Sequence, residues 1–143
     1  MSILLVRHGQ AVALTTGDRE RFLTQRGRSE TLSVGQQLLA LGHVPSAIVS
    51  SPLVRAVQTA EILAHALGFA GLVTTEPALE PEADPAAALR RVTSGAGVTM
   101  IVCHEPIVRG MAALLARQGS FPAFRTSAAV LFDESRVVAR VEP

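Results

Sequence analysis

The 143-residue chain has almost no cysteine and no lysine at all. Its single cysteine, Cys103, excludes an internal disulfide and a metal–thiolate cluster. Because lysine is missing, all 13 basic Lys+Arg positions are arginines. A guanidinium stays charged at any working pH and can bind two oxygens of an anion at once. Every cationic site built from these residues therefore has that bidentate geometry available.

Long apolar runs and a surplus of charge are also missing. No apolar stretch approaches the ~20 residues that a membrane-spanning helix needs. The N-terminus shows no succession of basic region, apolar stretch and cleavage site. We therefore expect no signal peptide and a cytoplasmic protein. The net charge of +1 gives no indication of nucleic acid or an anionic membrane as a partner.

The composition that is present is that of a soluble globular protein, with 48% apolar and 17% charged residues. The length allows one domain with a hydrophobic core and is too short for two of ordinary size. We therefore expect a single domain over residues 1–143.

Short apolar runs predict the strands of a sheet. Four of them lie at residues 2–6, 47–50, 72–75 and 98–103. The unbroken apolar character of the first and the last is typical of strands buried on both faces. Two further runs near the C-terminus, residues 128–132 and 136–141, are separated by a polar turn and predict a hairpin.

Helices are predicted between these strands. Thr24 is a plausible N-cap for the first, which ends at Gly42. Its apolar face is expected to include Leu32, Leu38, Leu39 and Leu41. Residues 85–92 suit a third helix, which residues 94–97 interrupt, and Pro106 begins a fourth. The segments 10–22 and 76–85 are predicted to be mostly loop.

The second helix has the clearest boundaries of the four. Ser51 is expected to cap it, Pro52 fits its first position, and Gly68 ends it. Apolar residues then recur at a spacing of three and four, so one stripe is buried. Strands that alternate with helices predict an α/β three-layer sandwich. We expect a mostly parallel mixed sheet with helices on both faces.

Histidines follow two of the apolar strands directly, His8 after the first and His104 after the fourth. In open α/β sheets, ligands bind at the carboxyl ends of the strands. Arg7 precedes His8, and Gly9 follows it. A glycine at that point lets the backbone turn, so that Arg7 and His8 can line one crevice.

Arg55 is the third element of this predicted crevice. It lies one turn after Ser51, near a helix N-terminus whose unpaired amides carry a partial positive charge. A guanidinium beside a helix N-terminus suits a phosphate group. Gln58 and Thr59 lie three and four residues further on, near the same helix face.

Each of these features has an ordinary structural interpretation when it stands alone. An Arg-His pair at a strand end is usually part of the protein rim, and His43 and His65 have no partner residues in the sequence pattern. Cys103, within an apolar strand, fits an inert core residue. The acidic segment around Glu80 is by default a solvated loop.

Taken together, the motifs are far more specific. The chain carries Leu-Val-Arg-His-Gly at 5–9, Leu-Thr at 23–24 with Gly27, and Ser-Pro-Leu-Val-Arg-Ala-Val-Gln-Thr at 51–59. Val-Cys-His-Glu-Pro follows at 102–106 and Thr-Ser-Ala at 126–128. In this order the sequence resembles the histidine phosphatase superfamily, which has the phosphoglycerate mutase-like fold. Within it, the chain looks like the short bacterial SixA-type phosphohistidine phosphatases.

The resemblance implies roles for particular residues. His8 would be the nucleophile that takes the phosphoryl group, and Arg7, Arg55 and His104 would surround the phosphoryl oxygens. Gly9, Gln10 and Ser127 would contribute to substrate binding. The two guanidiniums disfavour a protonated imidazole, so we predict that His8 is largely neutral near neutral pH. No cofactor and no metal are implied, and the protein is expected to be a monomer.

Glu80 lies where many relatives carry the carboxylate that protonates the leaving oxygen. SixA-type members commonly lack this carboxylate, because a phosphoramidate leaving nitrogen can already be protonated. Glu80 is therefore either a general acid for ester substrates or an ordinary loop glutamate. Gln10 is a second departure, since several SixA-type sequences carry aspartate there.

The function that follows is a metal-independent phosphatase that removes phosphate from phosphohistidine on a signalling or phosphotransfer protein. The short chain leaves little room for a lid, and an open site suits a phosphorylated protein side chain. A phosphatase of small phosphate esters with Glu80 as general acid is an alternative, as is a non-catalytic phosphate-binding module. A metallophosphatase fits least, because the acidic residues other than Glu105 avoid both histidine strands.

Overall fold

A six-stranded mixed sheet forms the centre of the computed structural model, which describes residues 1–13, 17–92 and 95–143. Within these ranges the strands are β1 Ser2–Arg7, β2 Ala47–Ser50, β3 Val73–Thr75, β4 Val98–Cys103, β5 Ala129–Asp133 and β6 Arg136–Val141. Their order across the sheet is β3-β2-β4-β1-β5-β6. The first four strands in sequence are parallel, and β5 and β6 form the predicted antiparallel hairpin.

Helices cover both faces of the sheet, so the predicted three-layer α/β sandwich is confirmed. The described helices are α1 Gln25–Ala40, α2 Val54–Ala66, α3 Pro85–Val92 and α4 Ile107–Ala116, with a single 3-10 turn at Pro77–Leu79. Side chains of β1 alternate between the two layers: Leu4 and Val6 pack with α1 and α2, and Ile3 and Leu5 with α3 and α4. The positions Thr15, Thr16 and Ser94, predicted to be loop, lie outside the described residues.

The first helix begins as the sequence predicts, but its buried face is different. Thr24 Oγ1 accepts a hydrogen bond from the amide of Gly27 at 2.9 Å, which confirms the N-cap. Of the four leucines expected on the apolar face, only Leu38 is buried; the other three, Leu32, Leu39 and Leu41, are exposed. The buried face consists instead of Gly27, Thr31, Val34, Gly35 and Leu38.

The physical reason is the close approach of α1 to α2. A Cβ placed on Gly35 would lie only 2.6 Å from the Cβ of Ala66. Small residues at this contact let the two helix backbones come together, and the larger leucines are consequently left on the outer side. In α1, therefore, the spacing of the leucines does not identify the buried face, because small residues form the close contact with α2.

The second helix begins later than predicted. Its first residue is Val54, and its N-cap, Leu53, makes no side-chain capping bond. Ser51 was expected to cap the helix; its hydroxyl instead accepts from the Leu53 amide at 3.2 Å and contacts His104. The predicted end is confirmed, because Gly68 follows the last turn with a positive φ of 64°.

The pairing of β1 with β4 places the two histidines side by side. In this parallel pair Arg7 lies opposite Cys103, and the amide of His8 donates to the carbonyl of Cys103 at 3.0 Å. The segments that follow β1 and β4 therefore leave the sheet at the same level, at the carboxyl ends of these adjacent strands. In the described part of the chain, no helix has the length and apolar character to cross a membrane.

Candidate active site

His8 and His104 form the centre of the candidate site. Their ring centroids lie 5.1 Å apart, with the ring planes inclined by 57°. Both side chains are buried, with 8% of His8 and 1% of His104 exposed to solvent. The structure thus brings together the two histidines that the sequence places at the ends of separate strands.

His8 is held by the backbone of its own loop. Its Nδ1 lies 2.7 Å from the carbonyl oxygen of Gly9. A carbonyl only accepts hydrogen bonds, so Nδ1 carries the proton and a neutral His8 has its lone pair on Nε2. Burial lowers the pKa of His8 to about 4, against the Gly9 hydrogen bond, and the charges of Arg55, Arg7 and Arg21 lower it further. The lowered pKa of His8 agrees with the predicted neutral imidazole, although burial lowers it more than the charges of the guanidiniums do.

The Gly9 loop is itself fastened from two sides. The amide of Gly9 donates to Thr59 Oγ1 at 2.9 Å, and that hydroxyl donates to the carbonyl of Arg55 at 2.8 Å. A Cβ on Gly9 would lie 2.7 Å from Thr31 Oγ1, so the loop packs against α1 too closely for a side chain. The buried amide of Ser127 donates to the carbonyls of Arg7 and His8.

His104 is held by a side chain instead. Its Nε2 lies 2.7 Å from the hydroxyl of Ser51. Its Nδ1 is buried and has no hydrogen-bond partner among the described residues. Burial lowers the pKa of His104 to about 3, with smaller contributions from His8 and the guanidiniums of Arg55 and Arg7, opposed by Asp18. His104 is therefore neutral at neutral pH.

The two arginines predicted for the site are both anchored by backbone carbonyls. Arg7 Nη1 donates to the carbonyl of Phe124 at 2.7 Å, and Arg55 Nη1 donates to the carbonyl of Asp18 at 2.8 Å. The Nε atoms of both are buried and have no partner among the described residues. Each guanidinium thus has one buried N–H group without a partner among the described residues, which can donate to an anion.

Asp18 and Arg21 are two site residues that the sequence analysis did not identify. Asp18 Oδ2 accepts from Arg55 Nη2 at 3.3 Å, and its Oδ1 accepts from Arg21 Nη1 at 3.1 Å. The hydrogen bond from Arg21, with the nearby charge of Arg55, holds the pKa of Asp18 below its usual value. A signal was available: Gly-Asp-Arg-Glu-Arg at 17–21 is a dense charge cluster in the loop that follows Gly9.

The predicted binding residues Gln10 and Ser127 are engaged within the fold. Gln10 Oε1 accepts from Thr24 Oγ1 at 2.8 Å, at the start of α1. The hydroxyl of Ser127 lies 2.9 Å from that of Thr31. Both side chains thus brace the loop that carries Gly9, and direct substrate binding by them stays a prediction.

Glu80 lies at the end of the 3-10 turn and forms an ion pair with Arg19. Its side chain is partly exposed, and in the described part of the structure it has no hydrogen bond to either histidine. Through Arg19, which adjoins Asp18 in sequence, it is connected to the loop that contacts Arg55. Its use as a general acid stays a prediction.

The described residues contain no group of three or more His, Cys, Asp or Glu side chains that could hold a metal ion. They do contain a neutral histidine with a free Nε2, a second neutral histidine, and two anchored guanidiniums. Such a set can attack an electrophilic centre and stabilise the negative charge around it without proton transfer from a carboxylic acid. By fold and site, the protein is an α/β sandwich with a histidine–arginine crevice suited to a phosphoryl group.

Comparison with known proteins agrees with this class. The family model of the histidine phosphatase superfamily (branch 1) matches residues 3–82. This segment is more than half of the chain and includes β1, the Gly9 loop, α1 and α2. The chain belongs to the histidine phosphatase superfamily.

Solved structures extend the similarity over nearly the whole chain. The protein histidine phosphatase SixA complexed with tungstate superimposes with a TM-score of 0.88 and 26% identity, covering 99% of this chain and 97% of that one. SixA from Agrobacterium tumefaciens superimposes with a TM-score of 0.85 at 21% identity, over 99% of this chain and 97% of that one, which shows the shared fold.

Curated relatives match a shorter stretch. The mitochondrial serine/threonine-protein phosphatase Pgam5 of Drosophila ananassae is 39% identical over 61 residues, which are 43% of this chain and 21% of that protein. The match therefore spans about a fifth of the length of such relatives. Together, the family and its neighbours support a phosphatase.

Proposed function

We propose that the protein is a metal-independent phosphatase that works through a phosphohistidine intermediate on His8. Its proposed substrate is phosphohistidine on a signalling or phosphotransfer protein. The observation that carries the proposal is the state of His8: Nδ1 is bound to the Gly9 carbonyl, and Nε2 is left as the nucleophilic atom of a neutral ring.

In the first step, the lone pair of His8 Nε2 attacks phosphorus in line with the bond to the leaving group. The P–N bond of the substrate breaks, and its electron pair goes to the leaving imidazole. When the other nitrogen of that imidazole is already protonated, it departs as a neutral ring and needs no proton from the enzyme. The Nδ1–H bond to Gly9 stabilises the positive charge that forms on His8.

In the second step, water attacks the phosphorus of phosphorylated His8. The P–Nε2 bond breaks, the electron pair returns to His8, and the water proton is released with inorganic phosphate. Arg7, Arg55 and His104 are proposed to bind the equatorial oxygens in both steps. Their contribution is positioning and charge stabilisation, which dominate phosphoryl transfer.

The substrate class is supported by the state of the carboxylates at the crevice. Glu80 is paired with Arg19, and Asp18 with Arg21 and Arg55. The hydrogen bond from Arg21 and the charge of Arg55 hold the pKa of Asp18 below its usual value, whereas a general acid must carry a proton. A leaving nitrogen that brings its own proton is compatible with this arrangement. The SixA named above as similar is itself called a protein histidine phosphatase.

A phosphatase of small phosphate esters is the second candidate. The position of Glu80 favours it, because Arg19 ties this carboxylate to the loop that contacts Arg55. On this alternative Glu80 would protonate the leaving oxygen, and its replacement by glutamine would abolish most turnover of esters.

The test is hydrolysis of a phosphohistidine-bearing phosphotransfer protein with chelator present. Native protein, His8→Ala and His65→Ala are compared; His65 is an exposed histidine on α2 and serves as the control. We expect release of phosphate by the native and His65→Ala proteins and none by His8→Ala. Native hydrolysis that depends on added metal would contradict the proposal. Absence of turnover on both phosphohistidine and esters would favour a phosphate-binding module.

A further inference from the structure

Ser51 was expected to cap α2, but it contacts His104 instead. The residue is fully buried and follows directly after β2, the strand that neighbours β4 in the sheet. Among the described residues, its hydroxyl has two hydrogen-bond neighbours, the amide of Leu53 at 3.2 Å and His104 Nε2 at 2.7 Å. The function proposed above leaves this contact without a role.

The direction of the Ser51–His104 hydrogen bond follows from an inventory of protons. The Leu53 amide can only donate, so it uses one lone pair of the Ser51 oxygen. The serine proton then has one acceptor within the described structure, the lone pair of His104 Nε2. If Nε2 carried the proton instead, the hydroxyl proton would be buried without an acceptor, which costs free energy.

The opposite side of the imidazole supplies the second observation. His104 Nδ1 is buried and unpartnered, in the field of Arg7, Arg55 and His8. A neutral ring has one N–H and one lone pair. With the lone pair on Nε2, Nδ1–H is a donor beside the place where the arginines attract an anion. With the lone pair on Nδ1, the same atom would repel the oxygens of that anion.

We propose that Ser51 is a positioning residue that fixes His104 in the Nδ1–H tautomer, so that the uncharged ring donates a hydrogen bond to a phosphoryl oxygen. The role of that donor rests on the proposed function, whereas the tautomer is a property of the unliganded protein. Among the described residues the Ser51 hydroxyl has no hydrogen bond to His8, so it would act through His104.

The experiment reads the tautomer directly. Full-length protein with ¹⁵N-labelled histidine is studied at pH 7.5 by long-range ¹H–¹⁵N correlation of the four imidazoles. The His104 signals are identified by their loss in His104→Gln. We expect a protonated Nδ1 and an unprotonated Nε2 on His104 in the native protein. A protonated Nε2 would overturn the proposal.

Variants separate the hydroxyl from the packing of its site. Ser51→Ala should shift His104 towards the Nε2–H tautomer, and Ser51→Thr, which keeps a hydroxyl, should retain Nδ1–H. Ser50→Ala is the matched control, because Ser50 is equally buried and donates to the carbonyl of Ser51 rather than to His104. An unchanged His104 spectrum in Ser51→Ala would contradict the assigned role. If that variant does not fold, the native and Ser51→Thr spectra still decide.

Turnover supplies an independent readout. Ser51→Ala should lower kcat/KM on the phosphohistidine protein about tenfold, the equivalent of one hydrogen bond, and Ser51→Thr should restore most of it. Equal activity of Ser51→Ala and native protein would overturn the proposal that the His104 tautomer contributes to turnover. Failure of the proposed function is distinguishable, because native protein would then show no turnover while its His104 spectrum was as expected.

Discussion

The two histidines of the crevice are fastened to the fold by opposite ring nitrogens. His8 is bound through Nδ1 to a backbone carbonyl, and His104 through Nε2 to a serine hydroxyl. A carbonyl can only accept, so the proton position on His8 is set by the path of the chain. A hydroxyl can donate or accept, so the proton position on His104 depends on what else the hydroxyl contacts.

This difference matches the tasks proposed for the two rings. A nucleophile needs a lone pair directed at phosphorus, and the Gly9 carbonyl leaves that lone pair on Nε2. An oxyanion-binding residue needs an N–H, and the buried Nδ1 of His104 is the atom available for it. On this proposal, the two histidines have opposite roles because their hydrogen-bond partners place the ring proton on different nitrogens relative to the crevice.

Of the variants that distinguish the two histidines, His8→Ala should cause the largest loss of turnover. His8→Ala leaves His104 and both arginines in place but eliminates the nucleophile, so we expect at least about a 10⁴-fold loss of turnover. Rapid acid-free quenching after mixing with ³²P-labelled substrate should trap base-stable phosphoenzyme in the native protein and none in His8→Ala. Phosphoenzyme in that variant would mean that His104 can take over, and the distinction between the rings would fail.

Arg55→Ala tests the contribution of the Arg55 guanidinium, whose positive charge acts on both histidine rings. Loss of this buried guanidinium should lower kcat by about 10²–10³-fold, as expected for one preorganised donor to a developing anion. Arg55→Lys should recover only part of the loss, because an ammonium lacks the planar fork. Arg136→Ala, at an exposed arginine of β6, is the control. Full activity of Arg55→Ala would remove Arg55 from the proposed site.

The pH dependence of the free energy of unfolding should report the protonation of both histidine rings. The pKa of His8 is lowered from 6.5 to about 4 and that of His104 from 6.5 to about 3. The unfolded chain therefore takes up protons below about pH 6.5 while the folded rings stay neutral. Stability from these groups is complete above pH 6.5 and is lost as the pH falls towards 4 and then 3.

Urea unfolding at pH 7.5, 6 and 5 measures this effect. We expect a free energy of unfolding that decreases over this series, with a shallower decrease in His104→Gln. His65→Ala, which alters an exposed histidine, should follow the native protein. A flat profile in the native protein would show that the two rings are not buried in the neutral form.

Thr59→Val examines how the backbone of the His8 loop is held. The replacement has nearly the same shape but lacks the hydroxyl that accepts from the Gly9 amide. Leaving that buried amide unpaired should cost about 1–3 kcal/mol of stability. His8 should keep its Nδ1–H tautomer, because the Gly9 carbonyl is still present. A changed tautomer in a ¹⁵N spectrum would show that the carbonyl alone does not determine it.

Glu80→Gln should have the smallest effect. If both rings act on a phosphohistidine substrate, no carboxylic acid is needed, and we expect turnover within about threefold of native. Arg19→Ala is the companion variant, because it breaks the same ion pair and keeps the carboxylate. Strong loss with Glu80→Gln, but not with Arg19→Ala, on an aryl or alkyl phosphate would establish the ester alternative.

Much of this arrangement could be predicted from sequence. Unbroken apolar runs that end in His8 and His104 indicated buried strands and the edge at which they end. Arg55 was associated with the same edge by its place near the start of α2. The apolar runs do not reveal the order of the strands in the sheet. The structure shows that β1 and β4 are adjacent, which places the ring centroids 5.1 Å apart.

The residues that sequence reasoning missed or misassigned act through contacts between distant segments. Ser51 has the pattern of a helix cap, yet the acceptor that determines its role lies 53 residues away. Asp18 resembles an ordinary loop residue until Arg55, 37 residues further on, is placed beside it. Local patterns describe local hydrogen bonds well, and these two bonds are not local.

The contact between Asp18 and Arg55 has a consequence for the end of each turnover. A buried guanidinium that loses its phosphate would be left as an unpaired charge, which is costly. Asp18 lies on a loop with its side chain half exposed and pairs with Arg55 through its Oδ2. Release of phosphate would then be an exchange of counter-ions, in which a carboxylate of the protein replaces the departing product.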